Sequence, residues 1–205
     1  MTINSKDELK NLVDPILTSV KRTLEKLQEM SSEDFLFKGK FGSLGTKWDN
    51  PKQDDDLGEQ IQQSMTMLVT AFAVDRLLQD GWSAEINGGA ATGADILFKH
   101  NNETVAACEI FAATDPGNNG KFVKDLALVT KRECKTEQRY VIFASPKLFS
   151  HRSKKYKVLS HENEVYTVEY NKCKITVIYI TAKKLENWVK DYQRKNPCPI
   201  PLKKN

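Results

Sequence analysis

At 205 residues the chain is long enough for one domain with a substantial core. No run approaches the ~20 apolar residues that a membrane helix needs, and the N-terminus MTINSKDELKNLV lacks the basic-then-apolar layout of a secretory signal. Cys108, Cys134, Cys173 and Cys198 form no CxxC pair and make no zinc spacing with His100, His151 and His161, so a reducing cytoplasm is the expected compartment.

The net charge of +4 hides an asymmetry. Residues 1–80 carry 10 Lys/Arg against 14 Asp/Glu and sum to −4, whereas residues 81–205 carry 21 against 13 and sum to +8. The sharpest excess is PKLFSHRSKKYKVLS, residues 146–160, where Lys147, Arg152, Lys154, Lys155 and Lys157 meet no acid. Such a patch suits a phosphate backbone, and its plainer reading is a solvated lysine-rich loop.

In chain order, Leu9, Leu12, Val13, Ile16, Val20, Leu24 and Leu27 recur at helical spacing and predict a first helix over 6–30, with a break or kink where Pro15 falls. Residues 31–56 read as a long polar loop with a short hairpin, whose Phe35, Phe37, Phe41 and Trp48 must bury somewhere or contact a partner. A second helix is predicted over 57–79, with Ile61, Met65, Leu68, Val69, Phe72 and Leu78 on its apolar face and Gly81 ending it. Strands follow over 82–86, 94–98 and 104–112, the last apolar enough to be buried on both faces. Then come a helix over 121–131, a central strand over 140–144, a hairpin of 165–170 with 174–180 around Asn171-Lys172, and a last helix over 181–195 with Leu185, Trp188, Val189 and Tyr192 on one side. The first three strands can form a meander, and the helix after them a crossover to the 140–144 strand. An α/β architecture follows, a mixed central sheet flanked by helices, with residues 1–56 as an N-terminal helical extension of a 57–205 core.

Asp95 opens the second of these strands, and Glu109 lies inside AACEIFAA on the third. A glutamate in so apolar a run is rarely buried without a partner. Two carboxylates on neighbouring strands are what a divalent cation needs beside a phosphodiester. This order of elements, with Ala94-Asp95 on one strand and Glu109-Ile110-Phe111 on the next, resembles the restriction-endonuclease-like PD-(D/E)XK superfamily over residues 57–145. The resemblance implies a restriction-endonuclease-like fold, Mg²⁺ (or Mn²⁺) on Asp95 and Glu109, and hydrolysis of double-stranded DNA, with a homodimer as a compatible assembly. Phe111 departs from the motif, which has lysine there. Lys121, which opens the next helix, is the cation that would replace it, with Lys124 one turn on to contact DNA. Glu59 on the long helix would be a third metal ligand.

Each assignment has a local alternative. Asp95 can cap a turn after Gly93, Glu109 can form a salt bridge, and Lys121 can pair with Asp125 at i+4 on an exposed face. Glu59 fits the first turn of a helix capped by Asp56, and Asn118 or Asn119 can cap the helix that Lys121 opens. GGAATG, residues 88–93, lacks a GK[ST] ending and reads as a flexible turn that lets DNA approach Asp95. Two rival functions stay open: a nuclease fold that binds nucleic acid without cleaving it, and an interaction protein that dimerises through its first helix.

Overall fold

The protein is described from a computed structural model covering residues 1–50, 53–87, 94–131, 136 and 138–196. Strand β1 (Thr2–Ile3) and a 3-10 turn (Lys6–Leu9) lead into α1 (Lys10–Gln28), α2 (Ser32–Phe41), β2 (Gly45–Thr46), β3 (Asp54–Asp55) and α3 (Leu57–Leu77). Strands β4 (Trp82–Ile86), β5 (Ile96–His100) and β6 (Glu103–Ala112) follow, then α4 (Lys121–Val129), β7 (Gln138–Ala144), β8 (Lys157–Glu162), β9 (Val165–Tyr170), β10 (Cys173–Ile180) and α5 (Ala182–Lys195).

Eight strands form one mixed sheet in the order β1-β4-β5-β6-β7-β10-β9-β8. Strands β4, β5 and β6 are an antiparallel meander, β6–β7 and β7–β10 are parallel, and the β10–β9–β8 end is antiparallel. The predicted meander, the crossover through α4 and the hairpin at Asn171-Lys172 are all present.

Alternate residues of a strand point to opposite faces, and β6 shows what each face does. Ala106, Cys108 and Ile110 join a core with Leu12, Val13 and Ile16 of α1, Val69, Phe72 and Val74 of α3, and Leu185 of α5. Ala107 and Phe111 join a second core with Phe122, Leu126 and Val129 of α4, closed further along by Phe149 and Tyr166. Glu109 shares the parity of Ala107 and Phe111, so it points to the α4 side.

Several expectations are corrected. Helix α1 passes through Pro15 without a break. Its proline forfeits one backbone hydrogen bond, and full burial of Leu12, Val13 and Ile16 on the sheet holds the helix across that gap. Residues 31–56 hold a helix as well as the expected hairpin. Ser31 caps α2 by accepting from the Asp34 N–H at 3.1 Å, and Glu33 and Asp34 lie in its positive first turn. Two strands were not predicted: β1, which adds to β4, and β8, which takes up the end of the basic segment. Ile61 of α3 is exposed instead of sitting in the core.

Candidate active site

The parallel strands β6 and β7 end beside the first turns of α3 and α4, and a cavity of about 820 Å³ opens there. Asp95, Phe111, Lys121 and Lys124 line it, with Ile61 and Gln62 of α3 opposite. A second cavity of about 550 Å³ adjoins it and shares Gln62, Thr66, Asp95 and Ile110. Trp48, Glu59 and Gln63 line that second space. Asp95 therefore stands at the junction of the two. A cleft at the carboxyl ends of parallel strands is the usual ligand position in open α/β sheets.

Asp95 is held by backbone. Its Oδ2 accepts from the Ile110 N–H at 2.7 Å, and its carbonyl accepts from the Asn87 N–H at 2.9 Å. The side chain thus bridges from the start of β5 to β6, one residue past Glu109. Residues 88–93, the glycine-rich turn before it, lie outside the described residues.

Glu109 is 2 % exposed, and its Oε1 has no hydrogen-bond partner. Burial pushes its carboxyl up to about 9, with repulsion from Asp95 and then Asp125 adding to the shift. A hydrogen bond to the Asp95 carboxyl acts in the same direction, and the Lys121 charge pulls the other way. The salt bridge considered for Glu109 does not form among the described residues; what surrounds it is mostly acid.

Phe111 is buried and belongs to the core. It lies directly opposite Phe143 in the parallel β6–β7 register, and the two rings stack at 4.9 Å with 4° between their planes. Its outer face carries a charge: the Lys121 Nζ sits 5.5 Å from the ring centroid. The same ammonium donates to Asp125 Oδ1 at 2.6 Å, so the expected i+4 pair exists. It is not a surface pair, however. Lys121 is 43 % exposed, whereas the Asp125 side chain is fully buried.

Asp125 is the residue that sequence reasoning missed. Its Oδ2 has no hydrogen-bond partner, and burial raises its carboxyl to about 6 despite the opposing Lys121 hydrogen bond and charge. The signal was present in KFVKDLALV. Phe122, Asp125, Leu126 and Val129 fall on one helical face, and all four are buried. An acid on a core face is the same anomaly that singled out Glu109.

The other expected residues divide. Glu59 is exposed, its backbone N–H donates to the Asp56 cap at 3.0 Å, and its Oε1 accepts from Gln63 at 2.8 Å. It lines the smaller cavity with Asp95, but among the described residues no three His, Cys, Asp or Glu side chains are grouped to hold one metal ion. Gly120, not Asn119, occupies the N-cap of α4 with φ +65°, a left-handed conformation that suits glycine, and the side chain of Asn118 lies outside the described residues. Lys124 faces the larger cavity. Lys147 pairs with Asp115 at 3.2 Å. Arg152, Lys154, Lys155 and Lys157 are exposed and have no carboxylate partner among the described residues. Their segment is tethered by Phe149, which stacks on Phe122 at 4.5 Å, and by the Tyr156 hydroxyl donating to the Ser150 carbonyl at 2.5 Å.

Asp95 and Glu109 suit a small hard cation. Mg²⁺ commonly takes only one or two protein carboxylates and completes its shell with water and phosphate oxygens. The orphaned Oε1 of Glu109 and the repulsion between the two acids are what a divalent charge would relieve. Comparison of the chain with protein-family models, with curated proteins and with solved structures finds no match.

Proposed function

We propose that the chain is a divalent-metal-dependent endonuclease of restriction-endonuclease-like architecture, acting on double-stranded DNA in the cytoplasm. The observation that carries this reading is a buried glutamate with an unpartnered oxygen, beside a second carboxylate and a lysine poised over the ring at the motif's lysine position. The order helix, antiparallel meander, helix, parallel strand supports the fold assignment.

Asp95 and Glu109 would hold Mg²⁺ or Mn²⁺, which when bound activates water and offsets charge on the scissile phosphate. Lys121 offers an ammonium at the mouth of the same cleft, where it can bind a non-bridging phosphate oxygen. Asp125 fixes that ammonium by a short hydrogen bond from a buried position. The Phe111–Phe143 stack keeps water out of the sheet beneath. Lys124 and the unpaired cations of 152–157 supply charge for the backbone on either side.

A specific observation also favours the binding module as the second reading: the motif's lysine position is filled by a core phenylalanine, and Lys121 is already engaged by Asp125. Dimerisation through α1 loses its basis, because Leu12, Val13 and Ile16 are spent on the core.

The test is cleavage of supercoiled plasmid with Mg²⁺ or Mn²⁺. Asp95→Ala and Glu109→Ala should each lose about 10³-fold or more in rate, and Lys121→Ala about 10²-fold, the range for removing an electrostatic stabiliser. Salt-sensitive DNA binding with no cleavage by the native protein selects the binding module instead.

A further inference from the structure

The loop that follows β7 brings together two histidines that the sequence keeps apart. His151 of that loop and His161 of β8 have their ring centres 6.1 Å apart, with 43° between the planes. Both rings contact Tyr166 of β9: His161 stacks on it at 5.5 Å, and His151 lies tilted against it at 5.3 Å. Phe149, a core residue, contacts His151 as well at 5.4 Å. Both imidazoles are exposed, and neither makes a hydrogen bond or an ion pair among the described residues. A single surface histidine needs no explanation, but two with free ring nitrogens on one support are a pair of unused ligands.

The spacing is that of two ligands on one ion. With a Zn–N bond of ~2.1 Å and a ring nitrogen ~1.2 Å from its ring centre, two imidazoles on one Zn²⁺ have centres roughly 5 to 6.5 Å apart. The observed 6.1 Å falls inside that range, and the broad second torsion of histidine lets each ring turn a nitrogen inward. Both backbones are held. His161 is registered against Tyr166 in the β8–β9 ladder. The chain beside His151 is closed by the Arg152 N–H donating to Ser150 Oγ at 3.2 Å and by the Tyr156 hydroxyl donating to the Ser150 carbonyl. Imidazole suits late first-row ions such as Zn²⁺, whereas the carboxylates of the cleft suit Mg²⁺ or Mn²⁺. No third His, Cys, Asp or Glu joins the pair among the described residues, so water would complete the shell.

We propose that His151 and His161 form a metal site apart from the carboxylate cleft, which takes an imidazole-preferring divalent ion of the Zn²⁺ class. The segment that carries Arg152, Lys154 and Lys155 runs between the two ligands, so a bound ion ties it to β8. Two protein ligands and neighbouring cations make the site a weak one, with a Kd of micromolar order.

Calorimetric titration of the full chain with Zn²⁺ from about 1 µM to about 1 mM, spanning a micromolar Kd, tests this with excess Mg²⁺ present to occupy the carboxylates. The native protein binds one ion, and the imidazole NMR signals of His151 and His161 shift together. His151→Ala and His161→Ala each weaken that event by at least about 10-fold. Their circular dichroism stays native, since both side chains are exposed. His100→Ala leaves the event in place, and so does Asp95→Ala, which disables the cleft. Zn²⁺ slows tryptic cleavage after Arg152, Lys154 and Lys155 in the native protein and in neither histidine variant. No binding up to the top of the range, native affinity in either histidine variant, loss of the event in Asp95→Ala, or tryptic cleavage that Zn²⁺ leaves unchanged overturns the proposal. None of these readouts uses DNA, so the site stands or falls apart from the nuclease reading.

Discussion

Buried polar side chains occur on both sides of the sheet, and they are treated differently. Between α1 and α3, Gln60 donates to Ser19 Oγ at 2.8 Å and accepts from Thr23 Oγ1 at 2.8 Å, while Ser19 Oγ donates to the Thr46 carbonyl. Two hydroxyls, Thr46 Oγ1 and Ser64 Oγ, and one oxygen of the half-buried Asp55 on the hairpin are left over on this side, and hydroxyls are the cheaper kind of orphan. On the α4 side the leftover oxygens belong to Glu109 and Asp125, two acids within each other's field, and Arg139 Nε on β7 is left over as well. A fold that closes one polar cluster neutrally could have closed the other. Satisfied neutral groups pin α1 and α3 to each other and to the hairpin; Glu109 and Asp125 are buried behind the cleft that Asp95 and Lys121 line, and each leaves a carboxylate oxygen unpartnered there.

The largest way to break this contrast is pH. The Glu109 carboxyl is raised from 4.5 to about 9 on folding, and that of Asp125 from 3.8 to about 6. A raised carboxyl binds its proton more tightly in the folded state. Its contribution is therefore complete below the unfolded value and is lost as pH climbs toward the folded one. Stability should fall from pH 5 to pH 8 with a slope of up to about 1.4 kcal/mol per pH unit for one proton. Glu109→Gln should flatten that slope in urea melts at several pH values; an unchanged slope would show that Glu109 carries no such proton. Mg²⁺ or Mn²⁺ should stabilise the native protein more at pH 8 than at pH 5, since cation and proton compete, and should not stabilise the glutamine variant.

Next in size is the satisfied cluster. Gln60→Leu fills similar volume but removes two buried hydrogen bonds, leaving Ser19 Oγ only the Thr46 carbonyl and Thr23 Oγ1 only the Ser19 carbonyl, and should cost about 1–3 kcal/mol in denaturant melts. Specific cleavage activity of the folded fraction should stay native. A large loss of rate without loss of stability would mean that the two regions are not separable. Asp125→Asn makes the opposite case. It removes a buried charge but releases Lys121, so stability should change little while cleavage falls about 10-fold, equivalent to about 1.4 kcal/mol of barrier. If the rate holds, Lys121 needs no anchor.

How much of this was legible follows the same division. Period-2 and period-3.6 apolar patterns located the central strands and helices, because burial of a whole face leaves that mark. Asp95 and Glu109 were visible as acids in apolar surroundings. Asp125 was equally visible on the Phe122–Leu126–Val129 face but was read past, because its i+4 spacing to Lys121 also fits an ordinary surface pair; the packing of α4 on Phe143 shows which partner is buried. Helix α2 escaped because it has no core face, and so no periodicity to read. Strand β1 is two residues long and exists through pairing with β4, a long-range contact that local sequence does not encode.

The smallest test carries the contrast between partnered and unpartnered groups to the surface. Lys147 is bound to Asp115, whose carboxyl is held below its ordinary range first by the Gly117 N–H and then by Lys147. Lys154 and Lys155 have no such partner among the described residues. If this segment tracks a DNA backbone, each free lysine that contacts a phosphate adds about 0.9 to the slope of log affinity against log salt. Lys154→Ala with Lys155→Ala should therefore lower the slope measurably and weaken binding to all sequences alike. Lys147→Ala should change it less, because Lys147 must give up Asp115 before it can meet a phosphate. Equal effects from the two changes would mean that the Asp115 pair is too weak to compete, and the basic segment would then act as one uniform patch.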